Sequence, residues 1–280
     1  AEMPRKLYWA DKLGLLVQED IPNFWGEPDS IAKANWEQVA QNEIARDYNC
    51  PSVFSWCLFN ETWGLITKNE GYLKSTQDWV ADLYKRIKKV DPTRLVEDNS
   101  ANRKDHVETD INSWHAYLPG YRWKEVLTEY SEKTYPGSPW NFVEGKTQSE
   151  QPNFNSECGN VWGYKGSTGD VDWSWDYHIM MNEFRRHPKC CGWLYTEHHD
   201  VINEWNGYVR ADRSAKETGF GDLAPGMTLR DLHGPFYVVA GDFPTAAAQP
   251  GEVVPVPLWA SFLTDAAPAS ELTLRLELVG

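Results

Sequence analysis

The chain reads as an α/β fold: a (β/α)8 TIM barrel lacking its first two strands, followed by the start of a β-sandwich domain. Three observations carry that expectation. Six short strand-like runs, near residues 15, 53, 94, 111, 154 and 191, are interspersed with amphipathic helical stretches, the order that builds a parallel sheet with crossover helices. Six is two short of a closed barrel, and the chain opens on a helix, which places the first two β/α units upstream of residue 1. After Gly234 the texture changes to period-two alternation in FYVVAGDFPT, EVVPVPLWASFL and ELTLRLELV, around a turn rich in Pro, Ala and Gly. The expected domains are residues 1–222 for the barrel, 223–234 for a linker and 235–280 for the opening of the sandwich. A doubly wound open sheet is the alternative, but no Gly-rich phosphate loop follows any strand.

In order, PRKLYWADKLG predicts a helix ending at Gly14, and LLVQEDIP a short buried strand closed by Pro22. NWEQVAQNEIARDYN places Trp36, Val39, Ala40 and Ile44 on one helical face and must stop before Pro51. In the strand SVFSWCLFNE, Phe54, Trp56 and Leu58 share one face, while Val53, Ser55, Cys57, Phe59 and Glu61 share the other, the smaller set pointing inward. TQDWVADLYKRIKKV repeats the helical pattern with Trp79, Val80, Leu83, Tyr84 and Ile87 buried, and DPTR ends it before the strand RLVEDN. There follow the strand DINSWHAY, the helix YRWKEVLTEYSEK, a loop carrying NFVEG, the strand PNFNSECG, the helix VDWSWDYHIMMNEFRRH and the strand CCGWLYTE.

Composition narrows the function. A net charge of −14 argues against a nucleic-acid or anionic-membrane partner, either of which would want a basic face. No apolar run approaches the ~20 residues of a membrane span. The five cysteines have neither a metal-ligand spacing nor an even count, and Cys57, Cys190 and Cys191 lie in apolar runs as small buried hydrophobes. Fifteen tryptophans incline the chain toward carbohydrate, because aromatic faces pack on the C–H faces of sugar rings.

The chemistry-bearing feature is a pair of glutamates, each at the C-terminal end of a strand-like run and each preceded by a polar residue: Asn60-Glu61 and Ser156-Glu157. Parallel β/α folds place chemistry at that end of their strands. Two carboxylates delivered there are the minimum equipment for glycoside hydrolysis, with a separation of ~5 to 5.5 Å in the retaining form. For Glu61 to carry a proton near neutral pH, its pKa must be raised by burial and by the charge of Glu157. Glu97, Asp98, Glu144 and Glu197 also lie near strand ends or a mouth loop and read as hydrogen-bonding or rim groups.

These stretches carry a resemblance. LGLLVQEDIPNFWGE, RDYNCPSVFSWCLFNETWG, TDINSWHAY, NSECG and DVINEWNGYVRADRSAKETGF together resemble the catalytic region of glycoside hydrolase family 2, which includes β-galactosidases, β-glucuronidases and β-mannosidases. The resemblance covers residues 1 to about 220. It implies that Glu61 is the general acid/base, Glu157 the nucleophile, and Asn60 the partner of the sugar 2-hydroxyl. His115 then reads as a substrate ligand and Tyr117 as a group that orients the nucleophile, both on one face of DINSWHAY. Trp193, sharing a strand face with Tyr195, is the candidate floor of the sugar site.

The expected function is a retaining β-glycosidase on terminal β-linked sugars, β-galactosidase-like, with a carbohydrate substrate and no cofactor. One alternative is a metal-dependent hydrolase on His115, His178, His198 and Asp200, although adjacent histidines on an extended strand point to opposite faces and chelate poorly. The other is a catalytically silent carbohydrate-binding protein, which has no need of two converging carboxylates.

Overall fold

The structure, a computed structural model, describes residues 2–100, 104–159, 172–201, 204–240 and 247–264, together with 273 and 275. Pro4 in the first turn and Gly14 in left-handed backbone (φ 69°) bracket α1 (Pro4–Leu13). Strand β1 (Val17–Asp20) follows. It starts later than the apolar run suggests: Leu15 and Leu16 are 56% and 77% exposed, because pairing begins only at Val17 with Val53. Asp29 caps α2 (Ser30–Asp47) by accepting the Ala32 N–H at 2.8 Å. The buried stripe of α2 runs through Trp36, Ala40 and Ile44, and Val39 falls outside this i, i+4 row into solvent.

In β2 (Val53–Cys57) the large Trp56 is fully buried and its Nε1 donates to Asp91 at 2.9 Å. Cys57, its neighbour on the opposite face, meets the carboxylates of Asp20 and Glu97. Helix α3 (Lys74–Val90) buries Val80, Leu83 and Ile87, with Trp79 and Tyr84 only partly covered. Next come β3 (Leu95–Glu97), β4 (Asn112–Tyr117), α4 (Trp123–Lys133), β5 (Asn153–Gly159), α5 (Ser174–Arg186) and β6 (Cys190–Tyr195).

All six strands run parallel, but they pair as two sheets, β1-β2-β3 and β4-β5-β6, and no closed barrel is present among the described residues. The fold is α/β. Each sheet has its own apolar core, one gathering Leu7, Trp36, Trp56 and Leu83, the other Trp114, Trp123, Tyr177 and Phe184. The seam between the sheets is polar. Among the described residues no helix links β3 to β4; instead buried Asp98 accepts from the Val107 and Glu108 N–H groups and lies 2.7 Å from His106 Nδ1. Phe142, from the α4–β5 connector, covers the His106 ring.

Beyond the sheets lie two short helices, α6 (Phe220–Leu223) and α7 (Leu229–Leu232), and an antiparallel pair, β7 (Phe236–Ala240) with β8 (Leu258–Phe262). Arg185 of α5 anchors that pair by donating to the Leu232 and Gly234 carbonyls (2.9 and 2.8 Å) and to Ser261 Oγ (3.2 Å). All five cysteines are free. Cys57 and Cys190 are covered to different degrees, but Cys191 is exposed, because β6 is the outer strand of its sheet. No helix among the described residues is long and apolar enough to cross a membrane.

Candidate active site

Glu61 leaves β2 on a turn held by its neighbour strand. Its N–H donates to the Ser100 carbonyl at 2.9 Å, and Asn60 forms an isolated parallel bridge with Ser100. Both Glu61 (φ 49°) and Thr62 (φ 60°) lie in left-handed backbone, and the Thr62 N–H is held by Asn99 Oδ1 at 2.9 Å. Such a conformation in non-glycine residues persists only where surrounding bonds over-determine it, and here they aim the carboxylate across the seam.

From the other sheet, β4 supplies His115 and Tyr117 and β5 supplies Glu157. His115 Nδ1 lies 2.8 Å from Glu61 Oε1 and 3.5 Å from Glu157 Oε2. Its Nε2 lies 2.7 Å from Ser100 Oγ. Tyr117 donates its phenol to Glu157 Oε1. One donor atom each from Glu61, His115 and Glu157 falls within a mutual 4.8 Å. His115 Nδ1 faces both carboxylates and Nε2 faces Ser100, so the group reads as a hydrogen-bonded carboxylate pair joined through His115.

Electrostatics follow from this enclosure. Burial raises the Glu157 carboxyl above its ordinary range and the Glu61 charge adds to this, while the charge of His115 and the Tyr117 hydrogen bond pull it back. Burial pulls the His115 imidazolium down, but the hydrogen bond to Glu61, with the charges of Glu157, Glu61 and Glu97, outweighs it and leaves the pKa raised. Burial, then the charge and bond of Glu157, hold the Tyr117 phenol far above its usual value.

The structure therefore gathers four of the sequence-predicted residues, Glu61, Glu157, His115 and Tyr117, and places Asn60 in the same turn as Glu61. Trp193 is a correction: its ring stacks on Phe184 of α5, with centroids 5.1 Å apart and 13° between planes, so it fills the sheet–helix layer and does not floor the site. Its face-mate Tyr195 likewise stacks on Tyr208 and donates to the Asn206 carbonyl at 2.9 Å. Glu97 is fully buried beneath the pair, receives Gln18 Nε2, and is pushed up to about 7 by burial. Asp98 serves the seam, and Glu197, pushed up to about 7 by burial and then the charge of Glu204, sits just past β6. Glu144 lines a hollow of about 720 Å³ with Tyr72, Lys133 and Trp140 that holds neither carboxylate of the pair.

The alternative metal set is dispersed. Asp200 is occupied by Lys216 Nζ (2.7 Å) and the Gly207 N–H (2.9 Å), and His178 Nε2 lies 3.3 Å from Asn182 Nδ2. Sequence reasoning missed Ser100. The signal was present, since Ser100 follows the strand RLVEDN and obeys the same strand-end rule, but a hydroxyl carries no charge to draw attention.

The chain is similar to several known proteins. A putative β-glucuronidase of Formosa agariphila is 31% identical over 101 residues, which are 34% of this chain and 8% of that protein. An FMN-binding β-glucuronidase from Facaelibacterium prausnitzii L2-6 superposes with a TM-score of 0.58 at 19% identity, over 77% of this chain and 35% of that one. A β-galacturonidase from Eisenbergiella tayi, bound to galacturonate, gives 0.54 at 20% identity, over 75% and 40%. The chain thus spans well under half the length of each of these proteins. Residues 9–213 match the TIM barrel domain of the glycosyl hydrolases family 2, and the chain belongs to that family.

Proposed function

We propose that this chain carries the catalytic centre of a retaining β-glycosidase. The observation that carries the reading is the convergence of Glu61 and Glu157, delivered by different sheets, on the same side of His115 within 4.8 Å. Glu61 protonates the glycosidic oxygen as the C1–O bond breaks, and Glu157 bonds to C1 from the opposite face. In the second half, Glu61 takes a proton from water as its oxygen attacks C1 and releases Glu157. Asn60 binds the 2-hydroxyl, a contact that strengthens in the transition state.

For the sugar, we take a terminal neutral β-linked residue, β-galactoside-like. Support comes from the acidic surroundings: the charge of Glu204 acts on both Glu157 and Glu197, and Lys216 is committed to Asp200 and two backbone carbonyls. A uronate wants a guanidinium or ammonium clamp. The β-uronide is the second reading, favoured by the name of the Formosa agariphila relative. Rates on aryl β-galactosides, β-glucuronides and β-mannosides decide between them.

Roles are tested by rescue. Glu157→Gly should lose turnover and recover it with azide as the inverted glycosyl azide, whereas Glu61→Ala should give the retained azide and spare substrates whose leaving group needs no proton. Opposite stereochemistry would exchange the two roles, and sugar binding without turnover in the unaltered protein would leave only a binding function.

A further inference from the structure

Among the described residues the two sheets share no strand pairing, yet the carboxylates they deliver meet across the seam. At the mouth one residue, Ser100, only 5% exposed, contacts the Glu61 turn, His115 and Ser156. The Ser100 N–H donates to the Phe59 carbonyl at 2.7 Å and its own carbonyl accepts the Glu61 N–H at 2.9 Å, which pins the left-handed turn of the acid/base. Its Oγ lies 2.7 Å from His115 Nε2, and the hydroxyl donates to Ser156 Oγ at 2.7 Å, immediately before Glu157.

A serine hydroxyl has one proton. Since Ser100 gives it to Ser156, it presents a lone pair to His115, and Nε2 must carry a hydrogen. Nδ1 then faces Glu61 Oε1 at 2.8 Å with one further proton between them. That proton is the one the leaving oxygen needs, and water returns it in the second half-reaction. We infer that Ser100 is a positioning residue for the carboxylate pair: its hydroxyl fixes the tautomer of His115 and its backbone fixes Glu61, so that one seam residue sets both the spacing and the proton count of the site. The inference rests on the glycosidase reading for its catalytic consequence, but its structural half stands on the contacts alone.

The charged and titratable groups around His115 come from every neighbouring strand: Asp20 from β1, Glu61 beyond β2, Glu97 from β3, Tyr117 on β4 and Glu157 from β5. All the carboxylates favour the imidazolium. Without the Ser100 lone pair, a buried Nε2–H loses its acceptor, and the imidazolium is weakened. Glu157, which the His115 charge holds down, then rises.

The experiment follows the His115 imidazole by nitrogen NMR in the full chain, assigned with His115→Gln, in the unaltered protein, Ser100→Ala, Ser100→Thr and Ser156→Ala. In the unaltered protein Nε2 should stay protonated while Nδ1 titrates. Ser100→Ala should lower the titration midpoint by about one unit, the scale of one hydrogen bond to a charged group. Ser100→Thr, which keeps the hydroxyl, should restore it, and Ser156→Ala should give a smaller shift in the same direction. These two variants carry the test should Ser100→Ala fail to fold. In kcat/KM on aryl β-glycosides, the acid limb of Ser100→Ala should move toward neutral pH. An unmoved His115 titration, or a raised KM with an unchanged pH profile, would overturn the role of Ser100. The NMR shift without hydrolysis of any aryl glycoside would strike the glycosidase reading alone.

Discussion

In the proposed reaction Glu61 combines two demands in one residue, a proton-carrying carboxylate and left-handed backbone at φ 49°. Left-handed backbone costs a non-glycine residue about 1 to 2 kcal/mol, so the turn stores strain that only glycine would relieve. Glu61→Gly should therefore unfold with a stability about 1 kcal/mol above that of Glu61→Ala, although both lack the acid. Equal stabilities in denaturant titrations would refute the strain. Tyr117 is tested by pH. Because its hydrogen bond lowers the Glu157 pKa, Tyr117→Phe should shift the acid limb of kcat/KM to higher pH and reduce kcat by about tenfold or more. A shift in KM alone would make it a sugar contact. At this scale the carboxylates, His115 and Tyr117 were legible, since strand ends and period-two faces are sequence properties. Trp193 was not, because a strand aromatic turns to the helix layer whenever a ring such as Phe184 waits there.

Among the elements, β3 carries the least expected group. Glu97 is fully buried and pushed up from 4.5 to about 7 by burial. A carboxyl whose folded pKa exceeds its unfolded value contributes stability that is fully present below pH 4.5 and is lost as pH rises through about 7. The unaltered protein should lose on the order of 3 kcal/mol over that window, and Glu97→Gln should remove this part of the slope. Denaturation of both proteins across the window checks it, and identical slopes would defeat the assignment. The helices α1, α2, α3 and α5 were readable from their apolar stripes and stops. The exposed Leu15 and Leu16 were not, since an apolar run says nothing about where pairing begins. Nor was the cover of the β3–β4 connector, where Phe142 from a different connector packs on His106.

For the molecule as a whole, the exposed apolar side chains gather early in the chain: Trp9, Leu15, Leu16, Trp25 and Ile31 are each more than half exposed. Among the described residues, β1 and β6 each pair on one side only. Unpaired edges and uncovered apolar surface invite association. Residues 1–280 should bind a hydrophobic dye or aggregate. A monomer that melts cooperatively and ignores the dye would overturn this. By itself the sequence determined the periodicities and the residue types: six parallel strands, their order among the helices, two strand-end glutamates and the family. Those are local properties, fixed by side-chain spacing and residue type. Only the tertiary structure decided that the strands pair as two sheets with a polar seam, that His115 Nδ1 faces both carboxylates, and that Ser100 ties the sheets together there. Contacts across a seam depend on how separate elements pack, and no spacing along the chain encodes that distance.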